Sequence, residues 1–167
     1  VRLMKDGEGD RQIVNIVSLA ALVGGLYVGA PYVCSKAALL GLNRNYAVQA
    51  GRQYGIRVNS ISPVIVSGQI ISTTSSEAID GVKDLMKVWK QEVPPIHLLY
   101  VFEMLCRTPS ITGKNIVIDG GLLLESASAL PLFADRPTAG FRHRPAAGHR
   151  RPLAPDVAVA YLSLIHI

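Results

Sequence analysis

Cysteine and charge are both scarce in this chain of 167 residues. Its two cysteines, Cys34 and Cys106, are too few for a disulfide framework, so we expect free thiols and a cytoplasmic location. Charged residues make up only 17% of the chain and apolar residues make up 49%. This balance excludes a disordered chain and predicts a globular domain with a hydrophobic core.

Charge is missing altogether between Gln12 and Ser35, a stretch long enough to cross a bilayer. Its polar residues, its glycines and Pro31 interrupt the run, and they fit a strand, a loop and a helix better than a spanning helix. We therefore expect no membrane contact. A single span over residues 12–35 is kept as an alternative hypothesis.

The net charge of +5 is not evidence for a nucleic-acid partner. Residues 1–123 carry twelve Lys and Arg against nine Asp and Glu, and an Arg-rich tail supplies the rest of the excess. Residues 124–167 are rich in Ala, Pro, Arg and His, and their ending resembles a translated sequencing adapter. We interpret this tail as a frameshifted or vector-derived run. Its His143 and His149 lack a third ligand, so no metal site is predicted.

Apolar periodicity predicts an α/β fold for residues 1–123. Runs rich in β-branched residues predict buried parallel strands at residues 13–17, 56–62 and 115–119. Between them, helical patterns are expected from Pro31 to Gln49, from Glu77 to Gln91 and from His97 to Cys106.

Three polar residues occupy positions where chemistry is expected. Ser18 follows the first predicted strand, and the carboxyl ends of parallel strands are where ligands bind. Tyr32 and Lys36 are four residues apart, which places them one helical turn apart on one face. An ammonium ion at that spacing favours the phenolate and makes the tyrosine a stronger acid. Each feature alone is more often structural, since such pairs are common on solvated helices.

Taken in order, four segments resemble the catalytic, carboxy-terminal half of a short-chain dehydrogenase/reductase. These are residues 15–18, the Tyr-x-x-x-Lys motif at 32–36, residues 56–63 and residues 111–121. The resemblance implies an incomplete Rossmann fold, a doubly wound parallel sheet without its amino-terminal half. It also implies an NAD- or NADP-dependent oxidoreductase, homo-oligomeric as the whole enzyme, which interconverts a small secondary alcohol and its ketone.

In terms of this family, Tyr32 is the catalytic acid and base, Lys36 holds the nicotinamide ribose, and Ser18 orients the substrate. Pro63 and Val66 lie where the family's loop meets the nicotinamide. Substrate choice is expected to depend on residues 64–95, and neither the substrate nor the choice between NAD and NADP follows from the sequence.

The chain also departs from the family's pattern. It contains no Gly-rich turn from strand to helix that would bind a dinucleotide's phosphates. Val64 stands where the family has a glycine, and an incomplete sheet would leave an open edge. The alternative hypothesis is therefore a non-catalytic fragment that cannot bind the cofactor alone.

Overall fold

Four strands form one parallel sheet in the computed structural model of the protein. The structure describes residues 1–25, 27–68 and 74–124, together with the backbone of Ala158–Leu162. In chain order the strands are β1 Arg11–Ile16, β2 Ile56–Pro63, β3 Asn115–Ile118 and β4 Ala158–Leu162. Their order across the sheet is β3-β2-β1-β4. The three predicted strands are confirmed apart from their exact ends.

The fourth strand lies in the tail, where no strand was predicted. β4 runs parallel to β1, with Arg11 opposite Ala158 and Asn15 opposite Leu162. The edge of β1, expected to be open, is therefore paired. The origin of residues 124–167 stays a prediction, because this pairing does not test it.

Four helices are described between the strands: α1 Ala20–Val23, α2 Ala30–Tyr54, α3 Ser76–Leu85 and α4 Pro95–Arg107. α2 runs past the predicted end at Gln49 and stops at Gly55, whose φ of 66° is left-handed and closes the helix. The first residue of α4 is Pro95, and proline is well suited to the first turn of a helix.

The sheet is covered on both faces. On one face, Ile13, Ile56 and Val58 pack against Ala50 of α2. On the other face, Val14 and Ile61 pack against Leu105 of α4, with further apolar side chains around them. β2 is buried along its whole length, as expected for a central parallel strand. Four of its buried residues are polar: Arg57, Asn59, Ser60 and Ser62.

A buried amide links β2 to the segment that precedes β3. Asn59 Nδ2 donates to the Ile111 carbonyl at 2.9 Å, and its Oδ1 accepts from the Lys114 N–H at 3.1 Å. Asn59 therefore has a structural role, since both ends of its amide bind the segment that leads into β3. Ser60 and Ser62 both donate to Asn115 Oδ1, at 2.9 and 2.8 Å, which fixes β3 beside β2.

The helix predicted over residues 77–91 ends early, at Leu85. Met86 is fully buried, and the N–H groups of Val88 and Trp89 both donate to the Gly120 carbonyl, at 3.1 and 3.0 Å. Gly120 has a φ of 60°, and a Cβ there would overlap the Met86 side chain and lie 2.6 Å from the Trp89 carbonyl oxygen. Local periodicity assigns the segment after Leu85 to the helix, but this segment instead binds the turn that follows β3.

Within the described part of the chain, no helix is both long and apolar enough to cross a membrane. The uncharged stretch from Gln12 to Ser35 instead forms most of β1, the short α1 and the start of α2. This arrangement matches the strand, loop and helix favoured from the sequence.

Candidate active site

Ser18 lies just beyond the carboxyl end of β1, as predicted. The chain on both sides of it stays bonded to β2, because the Val17 N–H donates to the Ile61 carbonyl at 2.8 Å and the Leu19 N–H to the Pro63 carbonyl at 2.9 Å. Ser18 is buried, and its Oγ accepts from the Ala20 N–H at 3.2 Å. That bond uses Oγ as an acceptor, so the hydroxyl proton is available for donation to a ligand.

Tyr32 and Lys36 lie in the first turns of α2. Lys36 Nζ is 5.7 Å from the centre of the Tyr32 ring, so the two side chains share one face, as the spacing predicted. Tyr32 is 42% exposed, which leaves its ring accessible to a ligand. The Ser35 hydroxyl between them donates to the Tyr32 carbonyl at 2.8 Å and remains within the helix.

Lys36 also joins α2 to β1. Its Nζ donates to the Ile16 carbonyl at 3.1 Å, at the last residue of the strand. Burial of the side chain lowers the pKa of Lys36, because the ammonium loses hydration on leaving water. An ammonium has three N–H donors, so one bond to Ile16 leaves two for other partners.

The structure brings two of the three predicted catalytic residues into direct proximity. Lys36 lies beside Tyr32 and binds the strand that carries Ser18 two residues further on. Among the described hydrogen bonds, none joins Ser18 to Tyr32 or Lys36. What Ser18, Tyr32 and Lys36 share in the structure is their location at one end of β1.

The loop after β2 supplies the other predicted site residues. Pro63 is the last residue of β2, and Val66 forms an isolated parallel bridge with Val93. The bonds of this bridge are made by the neighbours of Val66, since Val93 N–H donates to Ile65 at 2.7 Å and the Ser67 N–H donates to Val93 at 3.1 Å. The N–H and carbonyl of Val66 therefore point away from Val93, as a backbone ligand site requires.

Two features near the site were missed in the sequence. The buried Asn43 of α2 accepts from Asn15 Nδ2 at 3.2 Å and so attaches the catalytic helix to β1. Tyr27, in the loop before α2, lies against Gly81 of α3. A glycine in the middle of a predicted helix was the signal available for the second contact, since it often marks a close approach.

Potential metal ligands and a hollow elsewhere in the fold do not change the set of candidate site residues. No group of three or more potential metal ligands occurs among the described residues, and His143 and His149 lie outside them. A hollow of about 420 Å³ is lined by residues such as Gly51, Arg52 and Thr112. It lies near the amino end of β2 and contains none of the predicted site residues.

Known proteins share both the sequence pattern and the fold. Residues 1–123 match the family model described as enoyl-(acyl carrier protein) reductase. The A-factor type gamma-butyrolactone 1'-reductase (1S-forming) of Streptomyces virginiae is 32% identical over 126 residues, covering 73% of this chain and 48% of that protein. Short-chain dehydrogenase fogB of Aspergillus ruber is 32% identical over 124 residues, covering 70% and 43%. The chain thus spans about half the length of the curated relatives it matches.

Solved structures give the same result. A 4-hydroxyisoleucine dehydrogenase complexed with NADH superimposes with a TM-score of 0.57 at 32% identity, covering 69% of this chain and 48% of that one. A 3-oxoacyl-[acyl-carrier protein] reductase from Brucella melitensis gives a TM-score of 0.61 at 23% identity, over 68% and 42%, and shows the fold alone.

The sheet and these neighbours define an incomplete Rossmann-like α/β domain. Since the family model matches residues 1–123, the chain belongs to the short-chain dehydrogenase/reductase family of oxidoreductases. The resemblance read from four short segments is confirmed.

Proposed function

We propose that the whole protein is an NAD(P)-dependent oxidoreductase that interconverts a small secondary alcohol and its ketone. The observation that carries this proposal is the position of Lys36 Nζ, 3.1 Å from the Ile16 carbonyl and 5.7 Å from the centre of the Tyr32 ring. It fixes a cation beside a phenol at the ligand-binding end of the sheet. The cytoplasmic location and the homo-oligomeric state stay predictions.

Each side chain has a distinct task in this proposal. In the direction of reduction, Tyr32 Oη transfers its proton to the carbonyl oxygen of the substrate and becomes a phenolate. The Lys36 ammonium stabilises that phenolate, and the Ser18 hydroxyl donates to the same oxygen while negative charge develops on it. Oxidation of the alcohol reverses the proton transfer.

The residues present fit a nicotinamide cofactor at this end of the sheet. The outward-facing N–H and carbonyl of Val66 match the donor and acceptor of a carboxamide, and Lys36 has N–H donors left for a ribose hydroxyl. Pro63 ends β2 beside them and Tyr32 lies close to Lys36. When bound, the nicotinamide supplies or accepts the hydride. The solved relative complexed with NADH supports the same cofactor class.

A chimera tests the proposal. We would join the amino-terminal half of the gamma-butyrolactone reductase to residue 1 of this chain and follow NAD(P)H oxidation with a panel of small ketones. Tyr32→Phe should lower kcat by about 10²–10⁴-fold, since it removes the proton donor but keeps the ring. Tyr54→Phe, at the far end of the same helix, is the matched control and should retain activity. Normal turnover by the Tyr32 variant would contradict the assignment.

Ser18→Ala in the same chimera isolates the second donor. Loss of one hydrogen bond to the developing oxyanion should lower kcat by about 10²–10³-fold with a smaller change in KM. An unchanged kcat would remove Ser18 from the site while leaving the assignment of Tyr32 intact.

The alternative proposal is a non-catalytic fragment that cannot bind the cofactor alone. It is supported by the length of the match, which covers 48% of the curated reductase, and by the lack of a Gly-rich phosphate turn in the sequence. Titration of the chain alone with NADH, followed by fluorescence, tests this alternative. Saturable binding by the unassisted chain would rule out the fragment hypothesis.

A further inference from the structure

The side chain of Tyr27 occupies a notch in α3, the space in which any residue other than glycine at position 81 would place its Cβ. A Cβ added at Gly81 would overlap the Tyr27 hydroxyl oxygen and lie 3.0 Å from Cζ and 3.4 Å from Cε2 of the same ring. The phenol ring is therefore seated directly on the helix backbone. Tyr27 is 49% exposed, so one side of the ring contacts α3 and the other side remains open.

The glycine at this position has a cost that the contact explains. A glycine within a helix destabilises it by roughly 0.5–1 kcal/mol relative to alanine. Gly81 lies in the middle of α3 and has no unusual backbone conformation that would require glycine there. Close approach of the Tyr27 ring is the feature of the structure that requires the missing side chain.

Apart from this contact, α3 is held mainly at its carboxyl end, where the next residue, Met86, is fully buried. None of its residues is buried, and its N-cap bond, from the Ala78 N–H to Ser75 Oγ at 3.3 Å, is local. Its ion pairs, from Lys83 to Asp80 at 3.7 Å and to Glu92 at 3.2 Å, stay within the segment around it. The contact of Tyr27 with Gly81, by contrast, reaches another part of the chain.

That other part carries the site. Tyr27 lies on the connection that begins at Ser18 and ends at Tyr32, the proposed substrate donor and the proposed acid and base. A displacement of α3 relative to Tyr27 would therefore change the space next to both groups. α3 also belongs to residues 64–95, the region expected from the sequence to select the substrate.

We infer that the contact between Tyr27 and Gly81 sets the width of the substrate cleft and restricts it to compact substrates. This inference rests on the proposed function, because it assigns a specificity-determining role beside the same site. Tyr27 acts as a positioning residue through its ring and its hydroxyl, whose oxygen is the atom nearest to Gly81.

Two substitutions separate the ring from the hydroxyl. Tyr27→Ala empties the notch, whereas Tyr27→Phe removes only the hydroxyl oxygen nearest to Gly81 and keeps the ring. Gly81→Ala approaches the contact from the other side, since its methyl group displaces the ring while favouring the helix itself. All three leave Ser18, Tyr32 and Lys36 unchanged.

Hydrogen exchange of the full chain tests the contact without any activity. Tyr27→Ala should speed amide exchange in residues 76–85 several-fold, and Tyr27→Phe, which keeps the ring, should have a smaller effect. Gly81→Ala should speed exchange in the 24–29 loop. Unchanged exchange of α3 in Tyr27→Ala would overturn the inference.

Kinetics of the active chimera test selectivity. Tyr27→Ala and Gly81→Ala should raise the ratio of kcat/KM for a bulky ketone to that for a compact ketone by about tenfold, and Tyr27→Phe should raise it by less. An unchanged ratio would overturn the specificity role. A chimera that is inactive even without substitutions would instead refute the proposed function, and the exchange data would still decide the contact.

Discussion

α2 and α3 differ in how they are attached to the molecule. α2 contains three buried residues, Leu40, Asn43 and Ala50, and binds the end of β1 through Lys36. α3 has no buried residue and contacts the connection before α2 through Gly81. Tyr32, the proposed acid and base, lies on the firmly packed α2. The contact that is proposed to set the width of the substrate cleft involves the weakly packed α3.

In the proposed function, the firmly packed α2 carries out the proton transfer and the weakly packed α3 affects which substrates bind. Proton transfer needs groups held at fixed distances, and burial of side chains such as Leu40 supplies the free energy that holds α2 in place. Selection among substrates depends on the shape of the cleft, which can vary if one wall is only lightly attached. If α3 bounds the cleft as proposed, changes in α3 should alter the choice of substrate without disturbing Tyr32.

The largest expected effect comes from truncating one leucine on each helix. Leu40 is 6% exposed and Leu85 is 50% exposed. Leu40→Ala should lower the free energy of unfolding by about 2–5 kcal/mol, because it leaves a cavity where a buried side chain was removed. Leu85→Ala should cost less than about 1 kcal/mol. Urea unfolding measures both, and equal losses would show that α3 is packed as firmly as α2.

Local pattern predicted the elements that are packed in a regular way. The strands were found because a strand buried on both faces needs a run of β-branched residues, and Ile13, Val14, Val58 and Ile61 are such residues. The spacing of Tyr32 and Lys36 placed both on one helical face. These features depend on neighbours in sequence or on burial alone.

The features that were missed depend on contacts between distant segments. α3 stops at Leu85 because Gly120, far along the chain, accepts the N–H groups that a longer helix would have used. Leu42, which shares an apolar pattern with Leu40, is exposed, because only one side of α2 meets the sheet. The notch for Tyr27 likewise depends on a helix that follows it by some fifty residues in the sequence.

A second prediction concerns the polar attachment of α2. Asn43 is buried, accepts from Asn15 at 3.2 Å and donates to the Lys114 carbonyl at 3.5 Å. Asn43→Ala should lower the free energy of unfolding by about 1–3 kcal/mol, since it leaves a buried amide without its partner. Asn45→Ala, at an exposed position of the same helix, is the control and should have little effect. Comparable losses from the two variants would show that the buried amide pair does not contribute to the attachment of α2.

The third and smallest effect concerns the sheet on which α2 packs. Arg57 is 9% exposed and Asp10 is 33% exposed, and their side chains form two hydrogen bonds of 2.8 and 2.6 Å. These bonds to the Arg57 guanidinium lower the pKa of Asp10 below 3.8. The ionised carboxylate therefore binds its proton less readily in the folded chain than in the unfolded chain.

The sign of the pH dependence follows from that shift. The stabilisation is complete above the unfolded-state pKa of 3.8 and is lost as the pH falls toward the lower folded-state value. Asp10→Asn should cost about 1–2 kcal/mol at neutral pH and should reduce the loss of stability in acid. Asp6→Asn, at an aspartate that is 81% exposed, should leave the acid profile unchanged. Asp10 supports the sheet and not α3, so Asp10→Asn should leave hydrogen exchange in residues 76–85 unchanged. A selective increase of exchange in those residues would mean that α3 depends on the sheet more than its contacts indicate.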